Sequence, residues 1–183
     1  MATTKLWTVE ELEQLPDDEY RYALIKGELY RMPPPMGPHG LVVSTIVWYV
    51  YSFVRKHRLG RVYDQSGFIL ERNPDTVLGP DLAFVSSARL PADLRGYPEL
   101  APDLVVEVAS PSQSGPSIAE KAALYLEVGV RLVWIVDPVQ RTVHVRHAEG
   151  GDRILTEHDA IEGEDVLPGF RLPISQLYEE AFG

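Results

Sequence analysis

The sequence has no cysteine among its 183 residues, which excludes a disulfide framework, thiolate zinc centres and cysteine nucleophiles. It also lacks any apolar run near the roughly 20 residues that a bilayer-spanning helix requires. The opening "MATTKLWTVEELEQLP" has no signal-peptide core, so a cytoplasmic protein without a membrane partner is expected. Positive charge is in short supply: 17 Lys and Arg against 27 Asp and Glu leave a formal charge of −10. That balance argues against tight non-specific adhesion to nucleic acid or anionic lipid, but it leaves room for an enzyme that meets phosphates through a metal. P-loop, GxSxG and HExxH patterns are missing, and the histidines are not at ligand spacing on one helix. There is no internal repeat or linker.

What is present is ordinary globular composition, 45% apolar and 24% charged, in a length that fits one domain over residues 1–183. "WTVEELEQL" predicts a short helix from Thr8, with Thr8 and Glu11 as a capping box and Trp7 and Leu12 as a hydrophobic staple. "YRYALIKGELY" reads as a hairpin turning at "KG", with Glu28 just after the turn. "MPPPMGPHG" reads as an irregular loop ending at His39, because its prolines supply no amide donors. From Leu41 to Leu59, helical spacing of Val43, Ile46, Val47, Val50, Tyr51 and Val54 predicts a long helix, stopped by Gly60. "RVYDQSGFILER", "DLAFV", "DLVVEVA", "LVWIVD" and "TVHVRH" are strand candidates, several of them apolar throughout, as in a sheet covered on both faces. Between the third and fourth, "SIAEKAALYLEVGV" predicts a helix capped by Ser117 and Glu120, with Ile118, Ala122, Tyr125 and Leu126 inward.

Within "PDLVVEVASPS" a single carboxylate, Glu107, stands among valines, and burial of such a group without a partner, a proton or a metal costs several kcal/mol. Asp103, on the same strand face, is about 13 Å away and reads as turn chemistry. If the strand that Asp81 opens pairs with that of Glu107, the two carboxylates approach to about 5 Å, a spacing suited to a shared Mg²⁺ or Mn²⁺. Plainer alternatives stay open: a turn residue for Asp81, an exposed edge position for Glu107, hairpin solubility for Glu28, and helix capping or packing for His39. Lys121 falls in the first turn of its helix, where the dipole disfavours a cation, with no acid three or four positions away. It is either a solvated lysine or one whose ammonium reaches Glu107.

Pro80-Asp81 followed by Glu107-Val108-Ala109 resembles the PD-(D/E)XK nuclease motif. The ordered blocks "IKGELYRMPPP…H" and "VVEVASPS…EKAALYLEVGV…WIVDP" resemble the Uma-type restriction-endonuclease family, from about Thr8 to Asp137. The resemblance implies a restriction-endonuclease-like α/β fold, a mixed sheet flanked by helices, with a metal held by Asp81, Glu107 and the carbonyl of Val108. The lysine of the simple motif is replaced by Ala109; family members move it to the next helix, which matches Lys121, while Glu28 and His39 match further family positions. Ala23, Lys26 and Ser117 depart from the family's acids.

The resulting expectation is a Mg²⁺- or Mn²⁺-dependent endonuclease acting on DNA. Asp81 and Glu107 hold the metal, Lys121 orients water or stabilises the transition state, and Glu28 and His39 serve as outer ligands or proton carriers. Arg55, Lys56, Arg58 and Arg61 form the densest basic patch and either touch backbone phosphates or complement a helix C-terminus. Two strands to cut, and Trp48 and Tyr49 lying off the inward stripe, point to a homodimer. The alternatives are a non-catalytic interaction module on the same fold, favoured by the charge of −10, and a metal-free hydrolase using paired carboxylates.

Overall fold

The computed structural model describes residues 5–16, 18–93, 95–110 and 115–183; Pro111 and Ser112, which end the "VVEVASPS" block, lie outside them. Helix α1 (Val9–Leu12) begins at the predicted capping box, with Thr8 Oγ1 accepting from the Glu11 amide and Glu11 Oε2 from the Thr8 amide. Strands β1 (Arg21–Ile25) and β2 (Glu28–Met32) form the predicted hairpin. Its turn, Lys26 and Gly27, has φ of 49° and 82°, the paired positive values that match the twist of a two-residue hairpin.

Helix α2 runs from Gly37 to His57, so it starts ahead of the predicted Leu41 and takes His39 into its first turn. The cause is Pro38, whose missing N–H is harmless at a helix N-terminus. Its C-terminus also differs from expectation: Arg58, in the left-handed conformation at φ 55°, provides the C-cap. Gly60 instead opens the next strand, where an added Cβ would lie 2.1 Å from the Val85 carbonyl oxygen. Tyr51, expected inward, is 46% exposed. Tyr49, expected on the free surface, is partly buried against the core, and its hydroxyl meets Glu180 and Gln176.

The chain continues through β3 (Gly60–Asp64), β4 (Phe68–Glu71), β5 (Thr76–Leu78), β6 (Leu82–Ser86), β7 (Leu104–Val108), α3 (Ile118–Glu127), β8 (Leu132–Asp137) and β9 (Thr142–His147). It ends with β10 (Arg153–Leu155), β11 (Ala160–Glu162), β12 (Arg171–Pro173) and α4 (Ile174–Phe182). The stretch read as one strand candidate, "RVYDQSGFILER", is divided between two sheets, with Gln65 at φ 48° after the first half.

A six-stranded sheet of order β10-β9-β8-β7-β6-β3 carries the core. Strand β7 pairs antiparallel with β6 and parallel with β8, with α3 as the crossover, so the sheet is mixed and flanked by helices. A four-stranded sheet, β2-β1-β5-β4, and the β11-β12 ribbon accompany it. Side-chain parity on β7 then decides everything local. Leu104, Val106 and Val108 pack into the cluster with α2 and α4, whereas Val105 packs with Ala122 and Tyr125 of α3. Glu107 has the parity of Val105 and so belongs to the α3 side. Among the described residues no helix is long and apolar enough to cross a membrane.

Asp103 is more than a turn residue. It is 1% exposed; its Oδ2 accepts from the Ser86 amide at 2.8 Å and its Oδ1 from Arg89 Nη1 at 2.8 Å, tying the end of β6 to the start of β7. Burial opposes its ionisation, but the Ser86 amide and Arg89 outweigh burial and hold its carboxyl below the ordinary value of 3.8. Because the folded-state value is the lower one, Asp103 contributes stability above the unfolded-chain value and loses it as pH falls through the depressed one. Asp103→Ala should cost on the order of 2–3 kcal/mol at neutral pH, since it strands a buried amide and an arginine. Urea denaturation should also show the difference from wild type shrinking under strong acid. A neutral-pH loss below about 1 kcal/mol would contradict the role.

Candidate active site

The pairing of Leu82 with Val106, extended by one residue, sets Asp81 directly opposite Glu107, where cross-strand Cβ atoms are about 5 Å apart. The side chain of Asp81 continues the ladder that its backbone ends, since Oδ2 accepts from the Val108 amide at 2.8 Å. Asp81 and Glu107 are 4% and 3% exposed. Both line one cavity of about 530 Å³ together with Arg21, His39, Val108 and Lys121.

Each carboxylate has its own partners. For Asp81 these are His39 Nε2, 3.1 Å from Oδ2, and Arg21 Nη1, 3.3 Å from Oδ1. Glu107 Oε2 accepts from Lys121 Nζ at 3.2 Å, and Oε1 from the Tyr125 hydroxyl at 2.9 Å. Lys121 is therefore the inward-reaching lysine and not a solvated one, at 7% exposure. Desolvation acts first on both acids and is outweighed at only one. His39, the Val108 amide and Arg21 hold the Asp81 carboxyl below its usual range. At Glu107 burial and the neighbouring Asp81 charge prevail over Lys121 and Tyr125, and its carboxyl is raised. Burial, then Glu107, pushes the Tyr125 hydroxyl well up. A protonated Tyr125 donor is thereby assured.

Not every expected residue arrives here. Glu28 is exposed, pairs across the hairpin with Ile25, and accepts from the Tyr30 hydroxyl at 2.8 Å; it does not line the cavity. It stands at the exposed end of the hairpin, apart from the residues that line the cavity. Arg55, Lys56, Arg58 and Arg61 are exposed around the end of α2 and the start of β3; Arg55 and Arg61 line a neighbouring groove, and Lys56 and Arg58 do not. Arg21, Tyr125 and Gln65, whose side-chain oxygen accepts from Arg21 Nη2 at the edge of the same cavity, were missed as site residues. Tyr125 was legible as an i+4 neighbour of Lys121 on one helix face. Arg21 carries no sequence signal, because only the packing of the hairpin against the larger sheet brings it to Asp81.

Among the described residues no group of three or more His, Asp or Glu side chains is set to enclose a metal. The oxygens of Asp81 and Glu107 form a two-carboxylate donor set, with the backbone of Val108 beside them. Such a set fits Mg²⁺, which keeps several waters and takes one or two carboxylates, and does not fit a closed zinc site.

Comparison with known families matches residues 9–175 to Uma2, described as "Putative restriction endonuclease". Among solved structures, the chain is similar to a "putative nuclease belonging to DUF820" from Anabaena variabilis, with a TM-score of 0.83 and 23% identity over 95% of this chain and 98% of that one. No curated protein matches it.

The Tyr125 hydroxyl bonds a buried acid, so Tyr125→Phe, which keeps the ring in its cluster, should lower stability by about 1.5 kcal/mol. Urea melts at neutral pH measure this, and an unchanged midpoint would mean that the hydroxyl does not hold Glu107.

Proposed function

The chain belongs to the Uma2 family, and from that premise we propose that it is a Mg²⁺- or Mn²⁺-dependent endodeoxyribonuclease of the PD-(D/E)XK type, acting in the cytoplasm as a single-domain protomer of a homodimer. One observation carries this: two buried carboxylates on adjacent strands share a cavity with a lysine whose ammonium lies 3.2 Å from one of them.

Asp81 and Glu107 would hold the ion, with the Val108 carbonyl available beside them. When bound, the ion lowers the pKa of a water and neutralises charge on the scissile phosphate. The chain's own side chains do the rest. Arg21 and His39 position Asp81 in its ionised form, and Tyr125 positions Glu107. Lys121 orients the attacking water and stabilises the charge that gathers on the phosphate oxygens. Water adds to phosphorus and gives up a proton to solvent, the bond to the leaving oxygen breaks, and that oxygen takes a proton from solvent to leave as a hydroxyl. Glu28 has no part in this scheme. Arg55 and Arg61 contact the phosphate backbone. Leu41 and Trp48, each at least half exposed on α2, supply apolar surface for the second protomer.

A second function, non-catalytic binding on the same fold, draws on the charge of −10. Metal separates the two. A nuclease should cut DNA with Mn²⁺ or Mg²⁺, stop with chelator, and lose both cutting and metal-dependent thermal stabilisation in Asp81→Asn and Glu107→Gln; a wild type whose melting midpoint ignores millimolar Mn²⁺ defeats the nuclease assignment.

Lys121→Ala should separate binding from turnover. It leaves Glu107 without its buried cation, so the metal-free protein loses stability, and Mn²⁺ should raise its melting midpoint by more than it raises that of wild type. Cleavage should fall on the order of 10²–10³-fold. A Lys121→Ala protein that cuts as fast as wild type removes Lys121 from the mechanism. Light scattering at tens of micromolar checks the dimer, and a monomer mass there rejects it.

A further inference from the structure

We infer that a groove beside the candidate active site takes a short run of unpaired nucleotides flanking the scissile phosphate; this rests on the nuclease assignment of that site. The groove is a cavity of about 790 Å³, within the range of sites that enclose a drug-sized ligand. It shares Gln65, Gly67 and Tyr97 with the Asp81 cavity, so the two spaces meet at those residues. An added Cβ at Gly67 would lie 2.7 Å from the Tyr97 ring, so a larger residue at that junction would have to displace the ring.

The far end of the groove carries cations and rings. Arg55 of α2 and Arg61 of β3 line it together with Tyr51 and Tyr63. The Arg55 guanidinium carbon is 5.7 Å from the centroid of the Tyr51 ring, which is 46% exposed. The Tyr63 hydroxyl is buried and has no hydrogen-bond partner among the described residues. From Gln65, whose amide donates to the Asp81 carbonyl, β3 runs about 13 Å to Arg61, the span of a few nucleotides.

Rings interleaved with arginines along a groove are the means by which proteins hold single strands, because every unstacked base offers a π-face. Bases stacked inside a duplex cannot reach such rings. The charge of −10 points the same way. A chain with little general pull on phosphate needs stacking, and two well-placed cations, to retain its substrate.

The full-length protein, kept in chelator so that nothing is cut, is titrated against fluorescently labelled oligothymidine and against a blunt duplex of equal length, with anisotropy as the readout. Wild type should bind the single strand more tightly. Arg61→Ala should weaken that binding about tenfold and flatten its salt dependence by about 0.7 in log–log slope, and Tyr51→Ala should weaken it about tenfold. Arg153→Ala, which removes an exposed cation at the opposite edge of the six-stranded sheet, should leave it as in wild type. Equal single-strand affinity in all four proteins, or a wild-type preference for duplex, overturns the inference. So does a change of mass in light scattering for Tyr51→Ala without a change in affinity, which would assign the groove to a second copy. Wild-type cleavage with Mn²⁺, measured separately, reports on the active-site assignment alone, so the failure of one is not mistaken for failure of the other.

Discussion

Two carboxylates buried side by side are the constraint around which this fold is arranged. Asp81 and Glu107, both under 5% exposed, would each be costly in an apolar setting, and side by side they also repel. The chain offsets this with groups from four separate elements: Arg21 at the start of the hairpin, His39 in the first turn of α2, the Val108 amide of β7, and Lys121 with Tyr125 on α3. None of these elements can move far without leaving a buried charge or donor unpaired, a loss of about 1–3 kcal/mol or more for each group.

The offset is uneven, and the unevenness has chemical meaning. Asp81 has an amide, a guanidinium and an imidazole, and its carboxyl is lowered; Glu107, with one ammonium and one hydroxyl against burial and a neighbouring charge, is raised. Environments that push a pair of acids apart are typical of sites where the two do different work. In the proposed nuclease, Asp81 is held as an anion by its own partners, and Glu107 is the acid that gains most from a cation joining Lys121 beside it.

Much of this was legible because it was local. Both capping boxes, the Lys26-Gly27 turn and the apolar strands follow from residue types at short spacing, and they fall where expected. Glu107 was conspicuous because burial of an acid among valines requires an explanation, and the suspicion about Lys121 came from a cation at the wrong end of a helix. Illegible features were those set by contact between distant segments. Arg21 reaches Asp81 across 60 residues of chain. Tyr51 has helical spacing with the inward stripe, yet it faces the groove by β3. Glu28 matched a family position, but strand pairing leaves it at the exposed end of the hairpin. The early start of α2 was hidden by prolines that read as loop, although Pro38 is compatible with a first helical turn.

That early start has a larger consequence than a boundary shift. Had α2 begun at Leu41, His39 would lie on a loop with no fixed direction toward the sheet. Inside the first turn it is anchored by a helix whose Val42, Val43, Ile46, Val50 and Val54 are all at most 5% exposed against the six-stranded sheet. The far end of the same helix presents Arg55 and Tyr51 to the groove beside β3. A 21-residue helix rises about 1.5 Å per residue, so one rigid body sets the spacing between the imidazole at Asp81 and the guanidinium at the groove's far wall. If the strand that enters the groove is the strand that is cut, α2 is what fixes the distance from its anchored nucleotides to the reacting phosphate.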